Sequence, residues 1–116
     1  MVSRDRGIRL QNALARYLTQ WWPHAESAGS GRPGTDILGT PGIVWECKTA
    51  GSGNRNIGQW INQAKGHAPN PSVISVVVYY PPGVGEMLTS RSVAMLPLAD
   101  AINLLNMAGY GTKEES

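Results

Sequence analysis

Gly34-Thr35-Asp36-Ile37-Leu38 and Ile43-Val44-Trp45-Glu46-Cys47-Lys48-Thr49, four residues apart, set the fold of this chain. The second segment reads as a β-strand. Side chains of a strand alternate between faces, so Ile43, Trp45 and Cys47 share one face and Val44, Glu46 and Lys48 the other. The first face is apolar and buries. The second sets a carboxylate and an ammonium about 6.7 Å apart along the chain. The link Gly39-Thr40-Pro41-Gly42 is a tight turn, because Gly and Pro supply its special backbone angles. A hairpin is therefore expected, with Asp36 and Glu46 converging from neighbouring antiparallel strands. Two carboxylates that close repel unless a cation lies between them, and oxygen ligands suit Mg²⁺.

The 116 residues are enough for one domain with a sizeable core but not for two. Residues 1–112 are expected to form it, with 113–116 a flexible tail. No stretch resembles a signal peptide or is apolar for long enough to span a bilayer. The single Cys cannot form an internal disulfide and fits a reducing cytoplasm. Net charge is only +2, but it is unevenly spread: residues 1–65 carry eight Lys and Arg against four acids. A basic half around an acidic pair suits a metal-dependent enzyme acting on a polyanion, although an ordinary solvated surface has the same composition. Arg4, Arg6, Arg9, Arg32, Arg55 and Lys65 are the candidates for contact with the phosphates of such a polyanion. Arg32 leads, because its loop immediately precedes Asp36 and guanidinium forks match phosphate oxygens.

Along the chain, Arg4 to Trp22 has helical periodicity, with Leu10, Leu14, Tyr17, Leu18 and Trp21 in one stripe. His24 to Gly29 is a candidate first strand. The polar loop after Lys48 lacks the Gly-Lys-Ser/Thr of a nucleotide-binding P-loop. Ile57 to Ala68 is a second helix, capped by Asn56, on which Gln63 lies nearer the sheet than Gln59. Val73 to Tyr80 is a strand buried on both faces, and the intervening helix implies a parallel, right-handed βαβ pairing. Ser92 to Leu96 is a short edge strand, and Met87 to Thr89 is either another or loop. Leu98 to Ala108 is a third helix, expected to pack Leu98, Ala101, Ile102 and Leu105 inward. His24 and His67 have no second ligand at zinc spacing and are expected to be structural or solvent-facing.

The arrangement Asp36, nine residues, Glu46-Cys47-Lys48, with a helix before it and a helix and strand after it, resembles the PD-(D/E)XK nuclease superfamily over residues 4–80. Thr35-Asp36 stands where the family often has Pro-Asp. The resemblance implies an α/β restriction-endonuclease-like core, a mixed β-sheet flanked by helices. It implies that Asp36, Glu46 and the Cys47 backbone carbonyl hold Mg²⁺ (or Mn²⁺), and that Lys48 orients the attacking water or stabilises developing charge. It further places Gln11 and Gln63 near the metal; a solvated glutamine is the other reading of each. The other reading of Glu46 and Lys48 is an exposed ion pair. A chain this near the minimal core is similar to the archaeal-type and phage-type Holliday junction resolvases, which act as homodimers on four-way DNA junctions. The alternatives are another nuclease of this superfamily (VRR-like or repair), acting on flaps or ends, and a non-catalytic DNA-binding module on the same fold.

Overall fold

The alternation in Ile43–Thr49 governs the architecture, because it gives both faces of one strand something to cover. The computed structural model describes residues 3–30, 33–51 and 56–111. The elements in chain order are α1 (Ser3–Leu18), β1 (Glu26–Ser27), β2 (Ile37–Leu38), β3 (Ile43–Thr49), α2 (Ile57–Gly66), β4 (Ile74–Tyr80), a 3₁₀ segment (Glu86–Arg91), β5 (Val93–Met95) and α3 (Leu98–Met107). The main sheet has the order β3-β4-β5. β3 and β4 are parallel, in register from Ile43 opposite Ile74 to Thr49 opposite Tyr80. β5 is antiparallel to β4, with Val78 opposite Ala94. The result is a small mixed α/β sheet with helices on its faces. No helix among the described residues is long and apolar enough to cross a membrane.

Each sheet face takes one helix. Trp45, Val76, Val78 and Tyr80 meet Leu10, Leu14 and Leu18 of α1 in the larger apolar cluster, with Ile43, Cys47 and Ile74 at its margin. On the other face Val77 packs with Trp60 and Ala64 of α2. Asn56 caps α2 by accepting from the Gln59 backbone N–H. α1 stops at Leu18 rather than Trp22. The Thr19 hydroxyl donates to the Arg16 carbonyl (2.6 Å) and the Gln20 side chain to that of Tyr17 (3.0 Å), drawing those carbonyls from the helical ladder. Trp22 is thereby freed to meet Trp45 edge-on, with ring centroids 6.1 Å apart.

Three further expectations need correction. The hairpin between the Asp36 segment and β3 is not a strand pair: β2 pairs only with β1, with Ser27 opposite Ile37. Residues 87–89 are neither strand nor loop but lie in the 3₁₀ segment, held over α1 through Thr89, whose hydroxyl is 3.0 Å from that of Tyr80. α3 does not pack inward, since none of its residues is buried and Leu98 and Ile102 are 74 % and 54 % exposed. The reason is spatial. Three strands about 4.8 Å apart make a sheet little wider than one helix of about 10 Å, and α1 and α2 already fill its two faces.

The Tyr80 hydroxyl is fully buried and donates to the Leu10 carbonyl (3.2 Å), joining β4, α1 and the 3₁₀ segment. Tyr80→Phe leaves buried polar groups short of a partner and is expected to lower stability to urea by about 1–2 kcal/mol. Leu105→Ala on the exposed α3 is expected to cost less than about 0.5 kcal/mol in the same titration. The reverse order would contradict this packing.

Candidate active site

Asp36 is fixed through its backbone first. Its N–H donates to the Trp45 carbonyl (2.8 Å), and its own carbonyl accepts from the Ala28 N–H (2.8 Å). Thr35 supplies what a strand would have supplied: its hydroxyl accepts the Trp45 N–H (2.8 Å) and donates to the Ile37 carbonyl (3.0 Å). One backbone bond and one hydroxyl thus stand in for the expected ladder and still bring Asp36 against β3. There the Asp36 Oδ2 accepts the Cys47 backbone N–H at 2.7 Å.

Glu46 points from β3 to the α2 side and is 5 % exposed. Its Oε1 accepts from Gln63 Nε2 (3.1 Å) and lies 3.6 Å from the Lys48 ammonium. Lys48 Nζ donates to Gln63 Oε1 (3.0 Å), so Gln63 bridges acid and base. Oε2 of Glu46 is buried and has no hydrogen-bond partner among the described residues. His67, at the end of α2, approaches it to 3.9 Å through Nε2.

Burial sets the electrostatics. It pushes the Glu46 carboxyl up to about 7, with the negative charge of Asp36 adding to the rise and Lys48 opposing it. Burial also raises Asp36, against the Cys47 N–H and the charge of Lys48. The Cys47 thiol is pushed up to about 12, chiefly by burial, and sits on the opposite sheet face among core residues. It is no nucleophile, and its part in the site is its backbone.

The structure therefore brings Asp36, Glu46, Lys48, Gln63 and the Cys47 backbone together. Gln11 is placed differently. It is buried, and its Nε2 donates to the Ser27 hydroxyl (2.8 Å) and the Asp36 carbonyl (3.1 Å), so it braces the backbone of Asp36 rather than meeting its carboxylate. Arg6 and Arg9 line a cleft of about 400 Å³ with residues 83–86, at the end of β4. Lys65 lines a separate groove with Asn70, Ser75 and Asp100. Arg32, Arg55 and the side chain of Arg4 lie outside the described residues. His67 corrects an expectation, since it faces the acid pair. Its signal in the sequence is its spacing, four residues after Gln63, which puts both on one side of the helix.

A divalent cation fits this donor set. A buried oxygen lacks a partner, two carboxylates crowd each other, and one ammonium leaves the group a net charge of −1 when both acids are ionised. Among the described residues no three His, Cys, Asp or Glu side chains converge on one point. The oxygens that could hold such an ion are the two carboxylates and the Cys47 backbone carbonyl, a set that Mg²⁺ tolerates. Comparison with family models, curated proteins and solved structures finds no match to this chain.

Glu46 makes the metal-free stability depend on pH. Its folded value, about 7, exceeds the ordinary 4.5, so the folded state holds the extra proton between them. The contribution is complete below about 4.5 and is lost as pH rises through about 7, amounting to about 3 kcal/mol. Urea unfolding in chelator is expected to show stability falling over that range in the wild type. Glu46→Gln should lose that part of the slope; an unchanged slope would show that Glu46 is not the group responsible.

Proposed function

We propose that this chain is a metal-dependent DNA endonuclease of the PD-(D/E)XK type, built on a restriction-endonuclease-like core. We propose further that it is selective for branched DNA, as a Holliday junction resolvase is. The observation that carries the reading is the buried Glu46, with one oxygen lacking a hydrogen bond among the described residues, beside Asp36 and joined to Lys48 through Gln63. A structural ion pair has no use for a buried unpartnered oxygen, whereas a cation site does.

Asp36, Glu46 and the Cys47 carbonyl would hold Mg²⁺ or Mn²⁺. The ion supplies charge neutralisation at the phosphate and a nucleophile available near neutral pH. Lys48 presents a positive charge at the rim of the same site, where it stabilises charge developing on the phosphoryl oxygens. Gln63 fixes the Lys48 ammonium and the Glu46 carboxylate relative to one another, and Gln11 fixes the Asp36 backbone. Arg6 and Arg9 supply positive charge for the DNA backbone, at the end of the sheet to which Lys48 leads.

The homodimer rests on α3. Its stripe of Leu98, Ile102 and Leu105 is exposed, and a ten-residue helix is marginal in water without a covered face. Two copies related by a two-fold axis would cover it with the same patch and present two sites to two strands. Sedimentation of the wild type is expected to give a dimer and of Ile102→Asp a monomer. A monomeric wild type at tens of micromolar would remove this part of the reading.

The nuclease reading is tested with a labelled four-way junction and a matched linear duplex in Mg²⁺. Paired symmetric cuts at the junction are expected, abolished in Asp36→Asn and slowed at least about 100-fold in Lys48→Ala. Equal cutting of both substrates would leave a nuclease without junction selectivity. Binding without cutting in Mg²⁺ or Mn²⁺ would make the chain a non-catalytic DNA-binding module.

A further inference from the structure

We propose that the cleft between α1 and the loop after β4 is a binding pocket for a guanine base, supplied by an unpaired nucleotide of DNA; the pocket rests on its own lining, and its DNA source rests on the function proposed above. The cleft holds about 400 Å³, at the small end of the range of small-molecule sites. Arg6 and Arg9 line one side, one helical turn apart on α1, with the apolar Leu10 beside them. The loop residues 83–86, ending in Glu86, line the other. The two walls carry opposite charge, yet among the described residues no ion pair joins Glu86 to either arginine. Arg6 Nε is buried there without a hydrogen bond. Its guanidinium therefore lies along the wall of the cleft with no carboxylate to answer it.

That lining selects its occupant. A phosphate alone fits poorly, because Glu86 repels it. A ligand that satisfies both walls offers acceptors to a guanidinium and N–H donors to a carboxylate, on a flat body that packs against Leu10 and Val84. Guanine does so. Its O6 and N7 form a bidentate acceptor edge for arginine, and its N1–H and N2 amino group turn two donors to one carboxylate. In a duplex those two donors are bonded to cytosine, so the whole set is free only on an unpaired guanine, as at a branch or flap. Gly83 and Gly85 give the wall bare backbone, and a Cβ at either would meet nothing within 4 Å, so a ring can approach closely. Met87 follows Glu86 and is 91 % exposed. Its segment is held in place: the Leu88 N–H donates to the Gly85 carbonyl (3.0 Å) and the Thr89 hydroxyl to that of Glu86 (3.1 Å). An apolar side chain on a fixed turn is suited to fill the gap that an extruded base leaves in its stack. Arg9, more exposed than Arg6, stays available to a backbone phosphate.

The test is fluorescence anisotropy of labelled thymine oligonucleotides carrying one central guanine or one central hypoxanthine, bound to the full chain with Ca²⁺ in place of Mg²⁺. Hypoxanthine differs from guanine only in lacking the N2 amino group. The wild type is expected to bind the guanine oligonucleotide about tenfold more tightly, and Glu86→Ala to bind the two alike. Equal affinities in the wild type, or a preference retained in Glu86→Ala, would overturn the pocket while leaving the endonuclease reading intact. Guanosine monophosphate binding as tightly as the guanine oligonucleotide would overturn DNA as the source of the base. No binding of either oligonucleotide or of a four-way junction would overturn the DNA reading itself, and that source with it. The Glu86 side chain is exposed, so Glu86→Ala is expected to leave the thermal unfolding curve unchanged, which separates a lost contact from misfolding.

Discussion

The rest of the structure depends on one costly placement, a carboxylate on a buried strand face beneath a helix. A charged group loses its hydration there, and only specific partners offset the loss. Glu46 receives half of them. Gln63 and Lys48 satisfy one oxygen, and the other faces an imidazole too distant to bond. A fold seeking stability alone would place an apolar side chain at that position, as it does at Val44 and Val77 beside it.

Everything around Glu46 follows from the two faces of β3. One face anchors the strand in the α1 core through Trp45, whose indole N–H donates to the Thr40 hydroxyl (2.9 Å) and so ties the turn to the strand. Gly39 lets that turn close. Its φ is +84°, and a Cβ there would collide with the His24 carbonyl. With the turn fixed, Thr35 and Asp36 lie against Trp45, and Asp36 reaches the Cys47 N–H. The core on one face thus positions the acids on the other, and the stiffness of a packed sheet becomes the stiffness of the site.

Much of this arrangement is legible in the residues. Alternation in Ile43–Thr49 and the β-branched run of 74–78 give the parallel pair, and helical spacing in 57–66 gives the crossover and the side from which Gln63 approaches. What is not legible turns on tertiary competition. Thr35 looks like part of a strand, yet its hydroxyl replaces a ladder bond. The stripe of α3 looks like core, yet the sheet has no face left to receive it. Gln11 looks like a flank residue, but the folded chain buries it beneath Gly29 and Asp36, where its amide has backbone carbonyls to bind. His67 gives no sign in sequence that it faces Glu46, because the two meet only once β3 and α2 are packed.

The central claim is that the buried acid pair exists to hold a divalent cation, and calorimetric titration of Mn²⁺ at pH 6.5 tests it most directly. Glu46, raised to about 7, holds a proton most of the time at that pH and must release it on binding. Runs in buffers of different ionisation heat are predicted to show stoichiometric binding with net proton release, and the part released from Glu46 absent in Glu46→Gln. Absence of binding, or binding with the same proton release in Glu46→Gln, would contradict the claim.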